Sequence, residues 1–523
     1  MGVPANFSFY YVLTAKGIQS FILAGDKLRL MVGGSELIEA LPRKMEELMR
    51  SQGAEPGQDY EVLSSAAGGA RWLFKDEARA RAFASLMPLV MERYAPGLEF
   101  TQALMRVENG LANTMEQAEE VLQRRRQVLF PSCPVPGPLV SRAPRSGFPA
   151  VGRYKKELED LAMRAKRRAL GPARLGLREK IWPGDGGLAP IPMAEDFSAL
   201  AAGERGSIAV VHIDGNGLGA LVRTFFDGMK EKSDRDVAEA YRCFSAAIDR
   251  ASVGAMRKAL QPLVDEIGDN KGGSAAYPFR PLVCAGDDVT VILRAADAIP
   301  FAQSFLEAFE VTSREELSRL GGEWKSHEGL TACAGIAFVK KNFPFSQAFE
   351  LCESLCKFAK TRTQRSCSAL AFWRVTTSAP DDFDGIMERE LMVGKAPERL
   401  GLTMMPYRVG GAKGKAEYPR LDDLLVLRDA AMKMPRGSLR GVSSDLFQGK
   451  ARAQQSFERL RDVARRREGA EAGSPSRKLE QSLKALTHGA EALFAEKTGE
   501  EAKEMQFCTP LMDALELLSA ERA

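Results

Sequence analysis

Three carboxylates are the residues of this 523-residue chain best suited to chemistry. Asp214 ends the apolar run Val210-Val211-His212-Ile213 and is followed by the small-residue turn Gly215-Asn216-Gly217. Such a turn lets backbone approach a phosphate. About seventy residues on, Asp287-Asp288 stand between Pro281-Leu282-Val283-Cys284 and Val289-Thr290-Val291-Ile292-Leu293, presented by the turn Ala285-Gly286. Three acids gathered at strand ends cannot all stay ionised unless something neutralises them, and a divalent metal is the economical answer. Two Mg²⁺ or Mn²⁺ ions held by Asp214, Asp287 and Asp288 would activate a 3′-hydroxyl and stabilise the pyrophosphate leaving a nucleoside triphosphate. Phosphoryl transfer needs positioning and charge more than covalent chemistry, so a few carboxylates suffice.

An isolated Gly-Asp-Asp is more often a solvated hairpin turn than a metal site. Here both flanks are strongly apolar and Asp214 stands at the end of an upstream strand, which favours the site. Cys352 and Cys356 lie four apart on an expected helix, but no second pair of ligands accompanies them, so core packing is the better reading and no zinc is expected.

The elements that must carry these residues follow from periodicity. A strand is expected over 207–213, helices between 218 and 267, a hairpin around Asp287, a helix from Phe301, a strand over 332–339 and a helix over 346–360. The N-terminal part repeats the scheme, with a strand over 7–13, a helix over 26–49, a hairpin over 60–74 and a helix over 77–94. Two related α/β (α+β) units result. Between them, Pro131, Pro134, Pro136, Pro138, Pro144 and Pro149 break the pattern, and a basic helical stretch follows. Beyond Trp373 the patterning is helical, with candidates over 421–432, 454–467 and 477–494. The expected division is 1–130, a connector over 131–200, the second unit over 201–380 and a helical domain over 381–523.

Composition sets the limits. Hydrophobic residues at 45% and charged residues at 27% exclude a disordered or fibrous chain. A net charge of +4, from 73 Lys+Arg against 69 Asp+Glu, does not identify a nucleic-acid partner, so local clusters must carry that argument. Arg124-Arg125-Arg126, Arg164-Ala165-Lys166-Arg167-Arg168 and Arg465-Arg466-Arg467 are such clusters, each equally readable as a solvated helix face. Eight cysteines without a C-x-x-C pair read as reduced thiols of a cytoplasmic protein, and neither an export signal nor a membrane span is indicated.

Several of these segments together resemble one family. Asp214-Gly215-Asn216-Gly217-Leu218-Gly219, Ala285-Gly286-Asp287-Asp288, Ala334-Gly335-Ile336-Ala337 and Ala359-Lys360 are similar to successive motifs of the large, polymerase-like subunit of type III CRISPR effector complexes, whose palm is related to diguanylate cyclases. Gly17-Ile18-Gln19-Ser20-Phe21-Ile22 and Gly33-Gly34-Ser35-Glu36-Leu37 resemble that family's first palm, and the likeness reaches Leu402-Thr403-Met404-Met405-Pro406-Tyr407. The resemblance implies two ferredoxin-like palm/cyclase domains and a C-terminal helical domain. It further implies that the second palm makes cyclic oligoadenylate from ATP when a multi-subunit complex with guide RNA meets target RNA. By position, Asp214, Asp287 and Asp288 would be catalytic metal ligands. Gly215, Asn216, Gly217 and Gly286 would border the metal or triphosphate, and Lys360 would neutralise phosphate charge.

Departures from the family matter as much. The first unit's hairpin reads Ala67-Gly68-Gly69-Ala70-Arg71 and its first strand ends Thr14-Ala15-Lys16, so this palm lacks the acids and is expected to support rather than catalyse. With only His212, His327 and His488, a histidine-aspartate nuclease is not expected. Cys133 alone remains where the family often carries a zinc ribbon, and the usual Gly-Gly-Asp-Asp has Ala285 in first place. A stand-alone cyclic-nucleotide synthase and a non-catalytic scaffold of an RNA-guided complex remain alternatives.

Overall fold

Tyr10, Tyr11, Val12 and Leu13 are all fully buried because β1 (Phe9–Lys16) is an inner strand covered on both faces. Gly17, with φ 57°, then turns the chain directly into α1 (Ile18–Leu23) and α2 (Leu28–Ser51). The hairpin β2 (Tyr60–Ser64) and β3 (Gly69–Phe74) follows, then α3 (Glu77–Tyr94), whose N-cap Asp76 accepts from the Arg79 amide at 2.7 Å. β4 (Glu99–Arg106) and α4 (Leu111–Arg126) complete the unit. Its antiparallel sheet runs β2-β3-β1-β4, the ferredoxin-like order expected of a palm. The sequence does not signal α1 or β4, since α1 is under two turns and β4 mixes polar and apolar residues on both of its faces.

The computed structural model describes residues 7–65, 68–127, 137–170, 176–186, 188, 191–201, 206–269, 276–377, 382–395, 399–410, 418–468, 474–488, 492–497 and 505–521. Cys133 lies outside them. In the connector, the small hairpin β5 (Gly152–Tyr154) and β6 (Glu157–Glu159) leads to α5 (Leu161–Ala169), α6 (Gly176–Ile181) and a single turn, α7 (Phe197–Leu200). The basic stretch is largely spent here: Arg164 and Arg167 both pair with Glu159, at 3.1 and 2.9 Å, and Lys166 is 1% exposed.

The second unit repeats the first and extends it: β7 (Ser207–Gly215), α8 (Leu218–Met229), α9 (Asp234–Asp269), β8 (Phe279–Ala285), β9 (Asp288–Arg294), α10 (Ala298–Ser318), β10 (Ala332–Lys340), α11 (Phe345–Arg362) and β11 (Ala369–Arg374). Ala334-Gly335-Ile336-Ala337 lets α11 lie close on β10, for a Cβ at Gly335 would overlap the Cys352 carbonyl. The Cys352 thiol donates to Val210 O at 3.0 Å and the Cys356 thiol to Cys333 O at 3.2 Å, so both cysteines are packing residues tied to strands.

The remainder comprises α12 (Phe383–Glu390), β12 (Met392–Val393), β13 (Leu400–Gly401), β14 (Tyr407–Arg408), α13 (Leu421–Met432), α14 (Arg436–Leu446), α15 (Lys450–Glu468), α16 (Pro475–Thr487), β15 (Ala495–Glu496), β16 (Phe507–Cys508) and α17 (Leu511–Glu521). It is mainly helical, as the patterning predicts. Two-residue strands, too short to leave a period in the sequence, join a small sheet ordered β12-β13-β16-β15. β14 returns to the second palm, whose sheet is β14-β11-β10-β7-β9-β8.

The two palms meet reciprocally. α9 of the second packs on β2 of the first, and α2 of the first packs on β8 of the second. Arg242 pairs with Glu61, Arg71 lies 5.6 Å from the Tyr241 ring, and the Leu111 amide donates to Asp234 at 2.6 Å. No helix among the described residues is long and apolar enough to cross a membrane.

Candidate active site

Strand register brings the three acids together. β7 pairs with β9 so that Ile213 faces Val289, which sets Asp214 beside Asp288 at the turn end of the β8–β9 hairpin. The Gly215 amide donates to Asp287 O at 3.2 Å, joining the end of β7 to the turn. Gly215 is required by proximity, since a Cβ there would stand 2.5 Å from Asp287 Cβ and 2.6 Å from its Oδ2. Gly286 has φ 61° and Gly217 has φ 79°, conformations that L side chains rarely adopt.

The electrostatics are those of crowded, poorly hydrated acids. Burial, and then the Asp214 charge, push the Asp287 carboxyl up to about 6. Burial, then the Asp214, Asp287 and Glu353 charges, push Asp288 up to about 7, with a hydrogen bond from Gln19 opposing. Although the Asp288 side chain as a whole keeps 34% of its surface, its Oδ1 is screened from solvent and receives no hydrogen bond. His212 Nδ1 stands 3.6 Å from it, and burial pulls that ring down to about 4, so it is neutral near pH 7.

Lys360, on α11, is held on the same strand end. Its ammonium pairs with Asp214 Oδ2 and donates to Gly215 O at 2.7 Å. Asn216 turns inward: its Nδ2 donates to Thr331 Oγ1 at 3.0 Å and Cys367 O at 3.1 Å, and its Oδ1 is buried without a partner. It thus braces the turn that carries Asp214. Among the described residues, no group of three or more His, Cys, Asp and Glu side chains is gathered tightly enough to hold a metal ion.

Four further residues belong to the site and escaped the sequence reading. Ser252, wholly buried on α9, donates to Gly286 O. Lys180, brought by α6, donates to Cys284 O at 2.8 Å and pairs with Asp249 at 2.8 Å, anchoring the last turn of β8. Glu353 is one of the acids on α11, with its carboxyl raised by burial and then by Glu350 and Asp214. Gln19 Nε2, from the first palm, donates to Asp288 Oδ2 at 2.9 Å. Nothing in the local sequence distinguishes a serine in mid-helix or a glutamine some 270 residues from its partner.

The first palm carries the same framework without the acids. The Ala15 amide donates to Gly68 O at 2.6 Å, as Gly215 does to Asp287, and Thr14 pairs with Gly69. Thr14, Gly68 and Gly69 therefore occupy the places of Asp214, Asp287 and Asp288.

Asp214, His212 and Glu353 open on a groove of about 1560 Å³ between α11 and the C-terminal part, where Lys357, Arg365 and Lys497 also line the wall. The three arginine-rich runs lie elsewhere and are partly spent on internal partners. Arg124 pairs with Glu120 at 3.4 Å, Arg125 donates to Gln102 O, and Arg465 pairs with Glu480 at 2.7 Å.

Residues 207–369 match the family model described as Cas10/Cmr2, second palm domain. No curated protein matches. Among solved structures, the chain is similar to Csm1 in a Csm1–Csm4 cassette with pppApA, at 14% identity and a TM-score of 0.51 over 99% of this chain and 70% of that one. The cassette with cA4 gives 13% identity, a TM-score of 0.50 and the same coverage. Against the cassette with cA3, the match spans 71% of this chain and 55% of that chain, at 14% identity and a TM-score of 0.44. Residues 207–369 are thus similar to a Cas10/Cmr2 second palm domain, and the chain as a whole shares the fold of Csm1.

Proposed function

We propose that the second palm is a nucleotidyltransferase that makes cyclic oligoadenylate from ATP, as the large subunit of an RNA-guided, multi-subunit defence complex in the cytoplasm. The observation that carries this reading is the convergence of Asp214, Asp287 and Asp288 at one strand end, with Asp288 Oδ1 screened and unpartnered. The match of 207–369 to a Cas10/Cmr2 second palm supports it, as do solved Csm1–Csm4 structures of similar fold with cA4 and pppApA.

Hard oxygen donors, raised carboxyls and one orphaned buried oxygen suit Mg²⁺ or Mn²⁺, and Asp214, Asp287 and Asp288 would hold it once Asp214 turns from Lys360, since as they stand the three are not gathered as a metal cluster. When bound, such ions supply charge to a nucleophilic hydroxyl and a leaving pyrophosphate. The chain's own part is positioning. Gly217 and Gly286 supply the left-handed turns beside the acids, Ser252 and Lys180 fix the hairpin, and Lys360 adds a cation on Asp214 that can turn to a phosphate. The first palm, with Thr14, Gly68 and Gly69 in the acid positions, supports the second rather than catalysing. Guide RNA, target RNA and other complex subunits are the partners this reading requires.

The double variant Asp287→Ala with Asp288→Ala tests it. Product formation from ATP should cease while the chain's association with RNA is retained. Undiminished product from the double variant contradicts the assignment.

A further inference from the structure

Gln19 is the one side chain of the first palm that hydrogen-bonds an acid of the second palm's site among the described residues, and its setting is built rather than incidental. It stands in the first turn of α1, immediately after the left-handed Gly17 and Ile18, and its amide nitrogen lies 2.9 Å from Asp288 Oδ2. The far end of α1 is clamped. Lys166 Nζ donates to the carbonyls of Phe21 and Ala24, the second at 3.1 Å, and sits 4.4 Å from the Phe21 ring centre. Gly33 allows this, since a Cβ there would overlap the Lys166 carbonyl, and Gly34 lets α2 approach α1, since a Cβ there would stand 3.1 Å from Ile22 Cα. Connector helix α5 therefore fixes the helix that carries Gln19.

A carboxylate turns broadly about its last torsion unless one oxygen is held. At Asp288, Oδ2 is held by Gln19, which leaves the screened, unpartnered Oδ1 as the free acceptor. We propose that Gln19 is a positioning residue for the second palm: its amide sets the Asp288 carboxylate so that Oδ1 is available to a divalent cation, and through it the acid-free first palm takes part in the reaction. This rests on the reading of Asp287-Asp288 as a cation-binding pair. Outer hydrogen-bond partners of metal-binding carboxylates typically alter metal affinity by about ten- to a hundredfold.

The test is Mn²⁺ binding to the full chain, by titration, for wild type, Gln19→Ala and the Asp287→Ala/Asp288→Ala pair, with thermal melting and the Mn²⁺ dependence of ATP turnover alongside. Gln19→Ala should weaken Mn²⁺ affinity about tenfold, leave the melting temperature within a degree or two, and recover turnover at high Mn²⁺. Wild-type Mn²⁺ affinity in Gln19→Ala overturns the inference, and a lowered melting temperature beside it marks Gln19 as an interface contact only. Equal Mn²⁺ binding by wild type and the double-aspartate variant overturns the cation-site reading itself, and the inference with it.

Discussion

Gly215→Ala isolates how closely β7 and the acidic hairpin must approach. The new Cβ would stand 2.5 Å from Asp287 Cβ, 2.6 Å from Oδ2 and 3.0 Å from Cγ. Carbon atoms settle about 3.5–4.0 Å apart, so Asp287 must retreat by about 1 Å. Gly215 is a strand residue outside the left-handed region, so alanine meets no backbone strain and gains about 0.5–1 kcal/mol in chain entropy. Overpacking opposes this by about 1–3 kcal/mol, which leaves the fold only modestly affected. A 1 Å displacement at a reacting centre costs about a hundredfold in rate. Turnover of ATP should therefore fall about a hundredfold in Gly215→Ala, while its melting temperature drops by a few degrees at most. Gly219→Ala is the control: its Cβ meets open space on α8, and the variant should match wild type or be slightly more stable. A Gly215→Ala protein with wild-type turnover would refute the placement of Asp287 at the reaction.

Ser252→Ala removes the donor to the Gly286 carbonyl inside the protein and should cost about 1–3 kcal/mol of stability together with a loss of turnover, read by thermal melting and initial rates; an unchanged melting temperature speaks against the clamp. Asp513, at 3% exposure, accepts from Tyr407 Oη at 2.6 Å and the Met404 amide at 2.9 Å, and burial pushes its carboxyl up to about 7. Because the folded value lies above the unfolded one of about 3.9, the unfolded chain ionises first, so stability is full below about pH 4 and declines to about pH 7, by on the order of 4 kcal/mol. Asp513→Asn keeps an acceptor for both donors and should flatten that slope in denaturant melts between those limits; an unaltered slope assigns the dependence to other groups.

Much of the candidate site was legible because the sequence reports strand ends well. Apolar runs flanking Asp214 and Asp287-Asp288, and the glycines beside them, specify three strands and a turn without help from the rest of the chain. The first palm's lack of acids was legible in the same way, and the register now assigns Thr14, Gly68 and Gly69 to the three positions. What the sequence did not disclose depends on long-range packing. Gln19, Ser252 and Lys180 reach the hairpin from α1, α9 and α6, and none of them breaks the local pattern of its own helix. Asn216 looked like a polar turn residue, yet its amide is spent inward on Thr331 and Cys367. The arginine-rich runs read as exposed charge, while Glu159 takes up two of those arginines and Lys166 is buried under α1. Two-residue strands such as β13 and β16 leave no periodic signal at all.

The central claim concerns what Asp214 and the Asp287-Asp288 pair make. Incubating the purified chain with each nucleoside triphosphate and Mn²⁺, with and without guide and target RNA in the assembled complex, and resolving the products by mass tests it most directly. The expected result is cyclic oligoadenylate from ATP, formed only or mainly when guide and target RNA are present. Full-rate synthesis by the lone chain would contradict the dependence on a complex, and no nucleotide product under either condition would contradict the claim itself.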